Sequence, residues 1–182
     1  VLHEVPLIED LPKGFMAVRT GPRNFSWRSD KPSNLIFVEA LDDGNPETNA
    51  KYRDEIFEVG YPFRQNKVSL LKTINRFYRI DWCNDTLALG YDYWWNTRNT
   101  KTYIFSPANP NKETQIIIDR NYQDRYNDPG SFVKKRNFYG KSILAMNKLN
   151  LYLMGDGFRE DGQFPFIDQL NLKSLKKIRL YE

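Results

Sequence analysis

The sequence contains little of what several protein classes require. It has one cysteine, Cys83, which excludes an internal disulfide, and one histidine, His3, which excludes a multi-histidine metal site. No apolar run approaches the roughly 20 residues that a membrane-spanning helix needs, and the mean hydropathy is −0.68. The 10 glycines and 10 prolines are too few for a collagen-like or low-complexity chain. We therefore expect no membrane span, no metal and no cofactor.

The excess of one charge over the other is also small, because 27 Lys and Arg are nearly balanced by 23 Asp and Glu and leave a net charge of +4. Most bases alternate with acids, as in residues 120–125. The densest basic groups are Lys134-Lys135-Arg136 and residues 173–179. A nucleic-acid-binding protein concentrates its excess charge on one surface. We therefore interpret these groups as solvated strand edges and turns, and we expect no nucleic-acid partner.

The first six residues lack the basic start and the apolar stretch of a signal or transit peptide. The chain does not begin with methionine, which indicates a processed product or an excised segment.

What the sequence has in quantity is aromatic residues, with 12 Phe, 11 Tyr and 4 Trp, placed in short runs of alternating apolar and polar positions. Such runs, bounded by Asn, Asp, Gly and Pro, predict β-strands. The candidate strands form three sets of four: 24–27, 35–40, 55–59 and 68–71; then 78–82, 86–95, 102–105 and 114–118; then 141–146, 149–154, 166–172 and 178–180.

The three sets resemble one another, which indicates an internal repeat. Trp27 precedes the strand at Leu35 as Trp82 precedes the strand at Leu87. Equivalent second strands are 52 residues apart and then 64 residues apart, at Leu35, Leu87 and Leu151. Repeated four-stranded units of about this length are typical of β-propeller blades, although a β-sandwich also has short strands and turns.

We therefore predict an all-β fold of about three four-stranded antiparallel propeller blades within one incomplete domain, residues 1–182. The approximate blades are 15–74, 75–120 and 131–182, and a polar loop at 119–130 connects the last two. Closed propellers contain roughly 4–8 blades. Three blades leave two aromatic-rich faces in water, so we expect a part of a larger ring of seven or eight blades.

No set of residues predicts catalysis within this chain. The closest match to a Gly-x-Ser-x-Gly nucleophile elbow, Gly140-Lys141-Ser142-Ile143-Leu144, lacks the second glycine. His3 lies near the terminus, where a general base has no rigid support. Cys83 has no histidine partner and is interpreted as a small packing residue or a partly exposed thiol.

The acidic pairs and the longest acidic loop predict turns. Asp42-Asp43-Gly44 and Glu160-Asp161-Gly162 have the composition of hairpin turns. Residues 124–130 are rich in oxygen atoms but do not match the spacing of an EF-hand loop. We prefer a turn centred on Pro129 and Gly130 to a calcium site there.

The most distinctive stretch is Tyr91-Asp92-Tyr93-Trp94-Trp95-Asn96-Thr97-Arg98. Alternation sends Tyr91, Tyr93 and Trp95 to one face of a strand and Trp94 to the other, as expected for a blade packed on both sides. Arg98 at the strand end is the functional candidate, because a guanidinium can pair with a carboxylate through two hydrogen bonds.

Several long motifs resemble the propeller of the glutamyl endopeptidase branch of the prolyl oligopeptidase serine peptidases. Their order is preserved from about Leu11 to the C-terminus. Three positions differ from the family pattern: Cys83, Asn96 and Phe132. The motifs are Arg19-Thr20-Gly21-Pro22-Arg23, Ser26-Trp27-Arg28-Ser29-Asp30-Lys31-Pro32, Val38-Glu39-Ala40-Leu41-Asp42-Asp43-Gly44, Tyr52-Arg53-Asp54, Trp94-Trp95-Asn96-Thr97-Arg98 and residues 124–131.

The resemblance implies a parent protein with a propeller and a C-terminal α/β-hydrolase domain that holds Ser, Asp and His outside this chain. The propeller of such an enzyme restricts the access of peptides and helps to bind the substrate. The resemblance also implies a secreted, periplasmic or organellar location. Glutamate preference calls for cations near the pocket, and the candidate is Arg98. Tyr126 and Asn127 are weaker, uncharged candidates for substrate binding beside it.

The expected partners are the missing blades, the hydrolase domain and a peptide substrate. The chain alone should not hydrolyse peptides, and its open blade faces could drive self-association. The alternative is a stand-alone propeller-type module that binds a protein or another ligand without peptidase activity.

Overall fold

The computed structural model describes residues 4, 6–64 and 66–182, and His3 lies outside this part. Apart from a short 3-10 helix at Ile8–Asp10, its regular elements are β-strands. No helix among the described residues is long and apolar enough to cross a membrane.

The first sheet is a four-stranded antiparallel meander with the strand order β1-β2-β3-β4. Its central pair is in continuous register, with Phe37 opposite Phe57. The bounds are β1 Arg23–Trp27, β2 Asn34–Ala40, β3 Asp54–Gly60 and β4 Val68–Thr73.

The second sheet repeats this order as β5-β6-β7-β8 and is also antiparallel. Asn84 and Thr86 form the tight β5–β6 turn, in which Asn84 Oδ1 accepts from the Thr86 N–H at 2.9 Å. The bounds are β5 Arg76–Asn84, β6 Leu87–Trp94, β7 Asn99–Phe105 and β8 Gln115–Asn121.

The third sheet has two hairpins inserted into the same plan. Its first position is filled by two short segments, β9 and β12, which both pair with β13, and β16 and β17 follow in order. One hairpin, β10–β11, separates β9 from β12, and the other, β14–β15, separates β13 from β16. The bounds are β9 Ser131–Phe132, β10 Lys134–Arg136, β11 Ser142–Leu144, β12 Met146–Asn147, β13 Asn150–Gly155, β14 Phe158–Arg159, β15 Gly162–Gln163, β16 Phe166–Asn171 and β17 Lys177–Tyr181.

The single strand predicted at 141–146 is wrong. The chain changes partner at Ala145, whose N–H donates to the carbonyl of Val133 at 2.8 Å. Residues before it pair with β10, and residues after it pair with β13. The alternating pattern was real, but alternation does not identify which strand lies opposite.

The predicted fold class is confirmed: the chain is all-β, and its four-stranded antiparallel sheets are blades of the propeller type. One apolar core lies between the first and second blades and a second core between the second and third. Gly90 shows how closely the first pair approaches, because a Cβ at this position lies 2.3 Å from Leu71 Cδ2. The predicted alternation also holds, since Tyr91 packs in the second core while Trp94 lies beneath Arg53 of the first blade.

A buried ion cluster joins the ends of the first two blades. Asp54 Oδ1 accepts from Arg23 Nη2 at 2.5 Å and from Arg76 Nη1 at 3.0 Å, and Asp54 Oδ2 accepts from the Phe77 N–H at 2.7 Å. All three charged side chains are buried. Burial lowers the pKa of the Arg23 guanidinium, although Asp54 opposes that effect.

Asp42 belongs to the same cluster and does more than close a turn. Its Oδ1 accepts from the Gly44 N–H at 3.1 Å, the local bond that the sequence predicts. The buried carboxylate also accepts from Arg53 Nη1 at 2.7 Å and Arg76 Nη1 at 2.8 Å. The Asp-Asp-Gly motif is therefore both a turn and an inter-blade contact.

Candidate functional site

Antiparallel strands send alternate connections to opposite ends of the sheets. The front face consists of the connections 41–53, 74–75, 95–98, 122–130 and 156–165, and the back face consists of 28–33, 61–67, 85–86, 106–114, 148–149 and 172–176. All three predicted site residues lie on the front face: Arg98 in the connection 95–98, and Tyr126 and Asn127 in the connection 122–130. The pocket that Tyr126 and Asn127 line does not include Arg98.

Arg98 is held against its own turn. Its backbone is left-handed, with φ of 56°, and its Nη1 donates to the carbonyl of Trp95 at 2.6 Å. The guanidinium carbon lies 3.6 Å from the centroid of the Trp95 ring, close enough for a cation–π contact. Its assignment to substrate binding stays a prediction.

Asp124 fixes the conformation of the loop that carries Tyr126 and Asn127. Its Oδ1 accepts from the backbone N–H groups of both residues at 3.1 Å, and its Oδ2 accepts from Asn127 Nδ2 at 2.7 Å. These hydrogen bonds, led by the Asn127 side chain, hold the pKa of the Asp124 carboxyl below its usual value. The loop therefore presents the Tyr126 side chain, 65% exposed, from a hydrogen-bonded frame.

The turn predicted around Pro129 and Gly130 differs in detail. The backbone turns at 125–127, and a side chain closes the next step, since Asp128 Oδ1 accepts from the Gly130 N–H at 2.9 Å. Asp128 Oδ2 also accepts from Arg120 Nη2 at 2.7 Å. Gly130 is required because φ is 81° and a Cβ lies 2.3 Å from the Met154 carbonyl oxygen. Among the described residues, no group of three or more His, Cys, Asp or Glu side chains could hold a metal ion.

A pocket of about 250 Å³ opens beside this loop and is lined by charged side chains of both signs, including the carboxylates of Asp128 and Asp168. Tyr126 and Asn127 line one side of it. The opposite side is formed by the third blade and its β14–β15 hairpin, which contribute three cations: Arg159, Lys177 and Arg179. Three cations therefore lie next to two of the predicted residues, Tyr126 and Asn127.

The two arginines already hold a carboxylate. Arg159 Nη2 and Arg179 Nη1 each form an ion pair with one carboxylate oxygen of Glu182. Each guanidinium also lies against a ring, with centroid distances of 4.8 Å from Arg159 to Phe164 and 4.1 Å from Arg179 to Phe166. The arrangement can therefore bind a glutamate side chain with one arginine for each oxygen.

Asp168 orients one arginine of this pair. It is buried on β16, and its Oδ1 accepts from Arg179 Nε at 2.5 Å, while Lys177 Nζ lies 3.7 Å from its Oδ2. The Nε bond leaves the Nη1 of Arg179 free to contact Glu182. The pocket thus has a fixed arginine on a strand and a second arginine on a hairpin.

Sequence reasoning did not find Arg159 and Arg179. They are 20 residues apart in the chain, and the β14–β15 hairpin brings them together. The available signals were the Glu160-Asp161-Gly162 turn, which the structure confirms at the hairpin tip, and the alternation of β17, which places Lys177 and Arg179 on one side.

The fold and this pocket define a propeller-type chain with a site suited to carboxylates. The sequence is 34% identical over 189 residues to "Probable glutamyl endopeptidase, chloroplastic" of Arabidopsis thaliana and 33% identical over 188 residues to the protein of that name in Oryza sativa subsp. japonica. Each alignment covers 100% of this chain and 20% of the relative, so the chain spans about a fifth of their length. The predicted resemblance to the glutamyl endopeptidase branch is thereby confirmed.

No family model matches the chain. Solved structures of similar shape include an oligogalacturonate lyase from Vibrio parahaemolyticus, with a TM-score of 0.43 and 15% identity over 82% of this chain and 34% of that one. Another is TolB from Acinetobacter baumannii, with a TM-score of 0.42 and 14% identity over 82% of this chain and 31% of that one.

Proposed function

We propose that this chain is a non-catalytic propeller segment of a glutamyl endopeptidase-like serine peptidase, which gates the access of peptides and helps to bind the substrate. The observation that carries the proposal is sequence identity of about a third along the whole chain to two proteins with that name. In this proposal the catalytic residues belong to an α/β-hydrolase domain outside residues 1–182.

Unequal burial of equivalent residues supports the incomplete ring. Trp82 lies two residues before the end of β5 and is 4% exposed in the core between the first two blades, whereas Trp27 ends β1 and is 59% exposed. On the other terminal blade, Ile178 and Leu180 of β17 are both exposed. We infer that further blades of the parent protein cover these surfaces, and that the isolated chain self-associates through them or is only marginally stable.

The two-arginine pocket supports a contribution to substrate binding. The carboxylate of Glu182 contacts both arginines of the pocket wall, with one oxygen on Arg159 and the other on Arg179. We propose that a glutamate of the peptide substrate takes this place, and that Tyr126 and Asn127 border it.

The test uses the full-length protein that contains this chain. Peptidase activity is measured on paired peptides that differ only by Glu or Gln at the cleaved bond. Both Arg159→Gln and Arg179→Gln should lower kcat/KM for the Glu peptide by roughly fivefold to tenfold, since a partly exposed charged hydrogen bond contributes about 1 kcal/mol. The Gln peptide should change less than twofold.

Lys51→Gln is the matched control, because Lys51 is an exposed cation of the front face that does not line the pocket. Equal losses for both peptides in the arginine variants would contradict the assignment of the pocket. A full-length protein that binds Glu peptides without cleaving them would favour the stand-alone binding module.

A further inference from the structure

The two faces of the molecule carry opposite net charge. The front face contains eight Asp and Glu against five Lys and Arg, whereas the back face together with the β10–β11 hairpin contains three acids against twelve bases. The three acids are Asp30, Asp85 and Glu113. The twelve bases are Arg28, Lys31, Arg64, Lys67, Lys112, Lys134, Lys135, Arg136, Lys141, Lys148, Lys173 and Lys176.

Most of this positive charge is not neutralised within the described chain. Four of the twelve bases form ion pairs: Arg28, Lys31, Lys67 and Lys134. The other eight are exposed, and no described carboxylate lies within ion-pair distance of them. A surface of this kind attracts polyanions, and the attraction is strongest at low salt.

The β10–β11 hairpin projects from the third blade, and contacts with both other blades fix its position. Lys134 Nζ pairs with Asp81 Oδ1 of the second blade at 2.6 Å, and β11 packs against β5. Asn137 Nδ2 donates to the carbonyl of Ser29 in the first blade at 2.7 Å. The hairpin is therefore held in place against β5 of the second blade and against the connection 28–33 of the first blade.

Its tip carries an aromatic pair that the chain itself does not bury. Phe138 is 98% exposed, and its ring centroid lies 5.7 Å from that of Tyr139. Asn137 Oδ1 accepts from the N–H groups of Tyr139 and Lys141, both at 3.0 Å, and this fixes the turn. A large apolar side chain presented on a preorganised turn is typical of an anchor for a binding partner.

The outer edge of β10 is available for strand pairing. Within the described part of the chain, β10 forms a ladder with β11 alone. Lysines on an edge discourage pairing with ordinary strands, but Lys135 and Arg136 are compatible with a strand that carries carboxylates. An edge ladder is selective for polypeptide, since nucleic acid lacks the amide groups that such a ladder requires.

We propose that the β10–β11 hairpin binds an extended acidic polypeptide segment, which adds to the β10 edge, places carboxylates beside Lys135, Arg136 and Lys141, and packs an apolar side chain on Phe138. The inference deepens the proposed function, because the segment is the glutamate-rich part of a peptide substrate, bound away from the front-face pocket.

The test measures binding and peptidase activity separately in the full-length protein. The probe is a fluorescein-labelled 12-residue peptide of alternating Glu and Val, and binding is followed by fluorescence anisotropy after treatment with a serine-directed inhibitor. The probe should bind the native protein at 50 mM NaCl, and its affinity should fall as the salt concentration is raised. Samples without the inhibitor are assayed for cleavage of a short Glu peptide. Loss of the proposed peptidase activity is thereby detected separately from loss of probe binding at the hairpin.

Lys135→Glu combined with Lys141→Glu should weaken binding of the probe by about tenfold or more, since two attractive pairs become repulsive. The matched control is Lys13→Glu combined with Lys51→Glu, which makes the same change in net charge with two exposed lysines outside the back face. It should change binding less than twofold. Phe138→Ser should weaken binding about fivefold without changing the melting temperature.

Two further probes test the chemistry of the partner. A probe with N-methyl groups on alternate residues keeps its charge but cannot complete a ladder, and it should bind at least fivefold more weakly. A labelled 12-nucleotide oligothymidylate should bind more weakly than the acidic peptide. Equal or tighter binding of the oligonucleotide, or equal loss in the Lys13 and Lys51 control, would overturn the proposal.

Discussion

Asp54 lies at the centre of the buried ion cluster, and its replacement by Asn tests whether that cluster stabilises the fold. The carboxylate is 0% exposed and accepts hydrogen bonds from Arg23, Arg76 and the backbone N–H of Phe77. Three guanidinium atoms in the cluster, Arg23 Nε, Arg23 Nη1 and Arg76 Nη2, already have no hydrogen-bond partner. Asp54→Asn therefore removes a negative charge that partly balances the buried guanidinium groups of Arg23 and Arg76.

Removing one partner of a buried ion pair costs about 3–5 kcal/mol. A loss of about 3 kcal/mol in local stability corresponds to roughly 150-fold faster amide exchange where exchange follows the opening equilibrium. Hydrogen–deuterium exchange with mass spectrometry should show this acceleration in peptides from β3 and β5, whatever other domains the protein contains.

The matched control is Asp85→Asn, which removes the same charge from a carboxylate with a half-exposed side chain that pairs with Lys31 at 2.6 Å. Asp85 also lies 3.3 Å from the buried Arg28, but that guanidinium keeps two closer carboxylates, Asp30 at 2.6 Å and Glu58 at 2.8 Å. Exposed pairs contribute about 0–1 kcal/mol, so exchange in β5 and β6 should change less than fivefold. Equal effects of Asp54→Asn and Asp85→Asn would refute the assignment of stability to the buried cluster.

Three shorter predictions concern other parts of the molecule. Glu182→Gln should free Arg159 and raise the affinity of the full-length protein for Glu peptides about twofold to fivefold in a titration, whereas reduced affinity would exclude Glu182 as a competing occupant. Burial raises the pKa of Asp92 above its ordinary 3.8, so its contribution to stability falls as pH rises from that value through the raised pKa. The difference in unfolding free energy between Asp92→Asn and the native protein should show that slope, and a flat difference would contradict it. Light scattering should detect association of the isolated chain that weakens in Trp27→Ser and Ile178→Ser, and a monodisperse, heat-stable monomer would contradict open blade faces.

Much of the fold could be predicted because its strands repeat a simple pattern. The alternation around Tyr91 and Trp94 fixed both the strand and its two packing faces, and β2, β3 and β6 lie within one residue of their predicted ends. The turn between β14 and β15 was predicted, but the two strands were not, since they have only two residues each and contain no alternation to detect.

The candidate site was predicted only in part, for a physical reason. Tyr126 and Asn127 were named from the family resemblance as neighbours of Arg98, and their role in substrate binding stays a prediction. Arg159 and Arg179 converge through a hairpin and an edge strand, and this proximity depends on the register of β13, β16 and β17. Local sequence does not encode that register, because the residues that set it lie on different strands.

The separation of charge follows from the same topology. In sequence, most bases alternate with acids and leave a net charge of only +4, and the two densest basic groups were interpreted as solvated strand edges and turns. In an antiparallel blade, however, consecutive connections emerge at opposite ends, so charge that varies from one connection to the next is sorted onto two faces. Acids are concentrated in 41–53 and 156–165, and bases are concentrated in 134–141 and 172–176. A small net charge therefore coexists with one basic face, and the β10–β11 hairpin lies where that positive charge is densest.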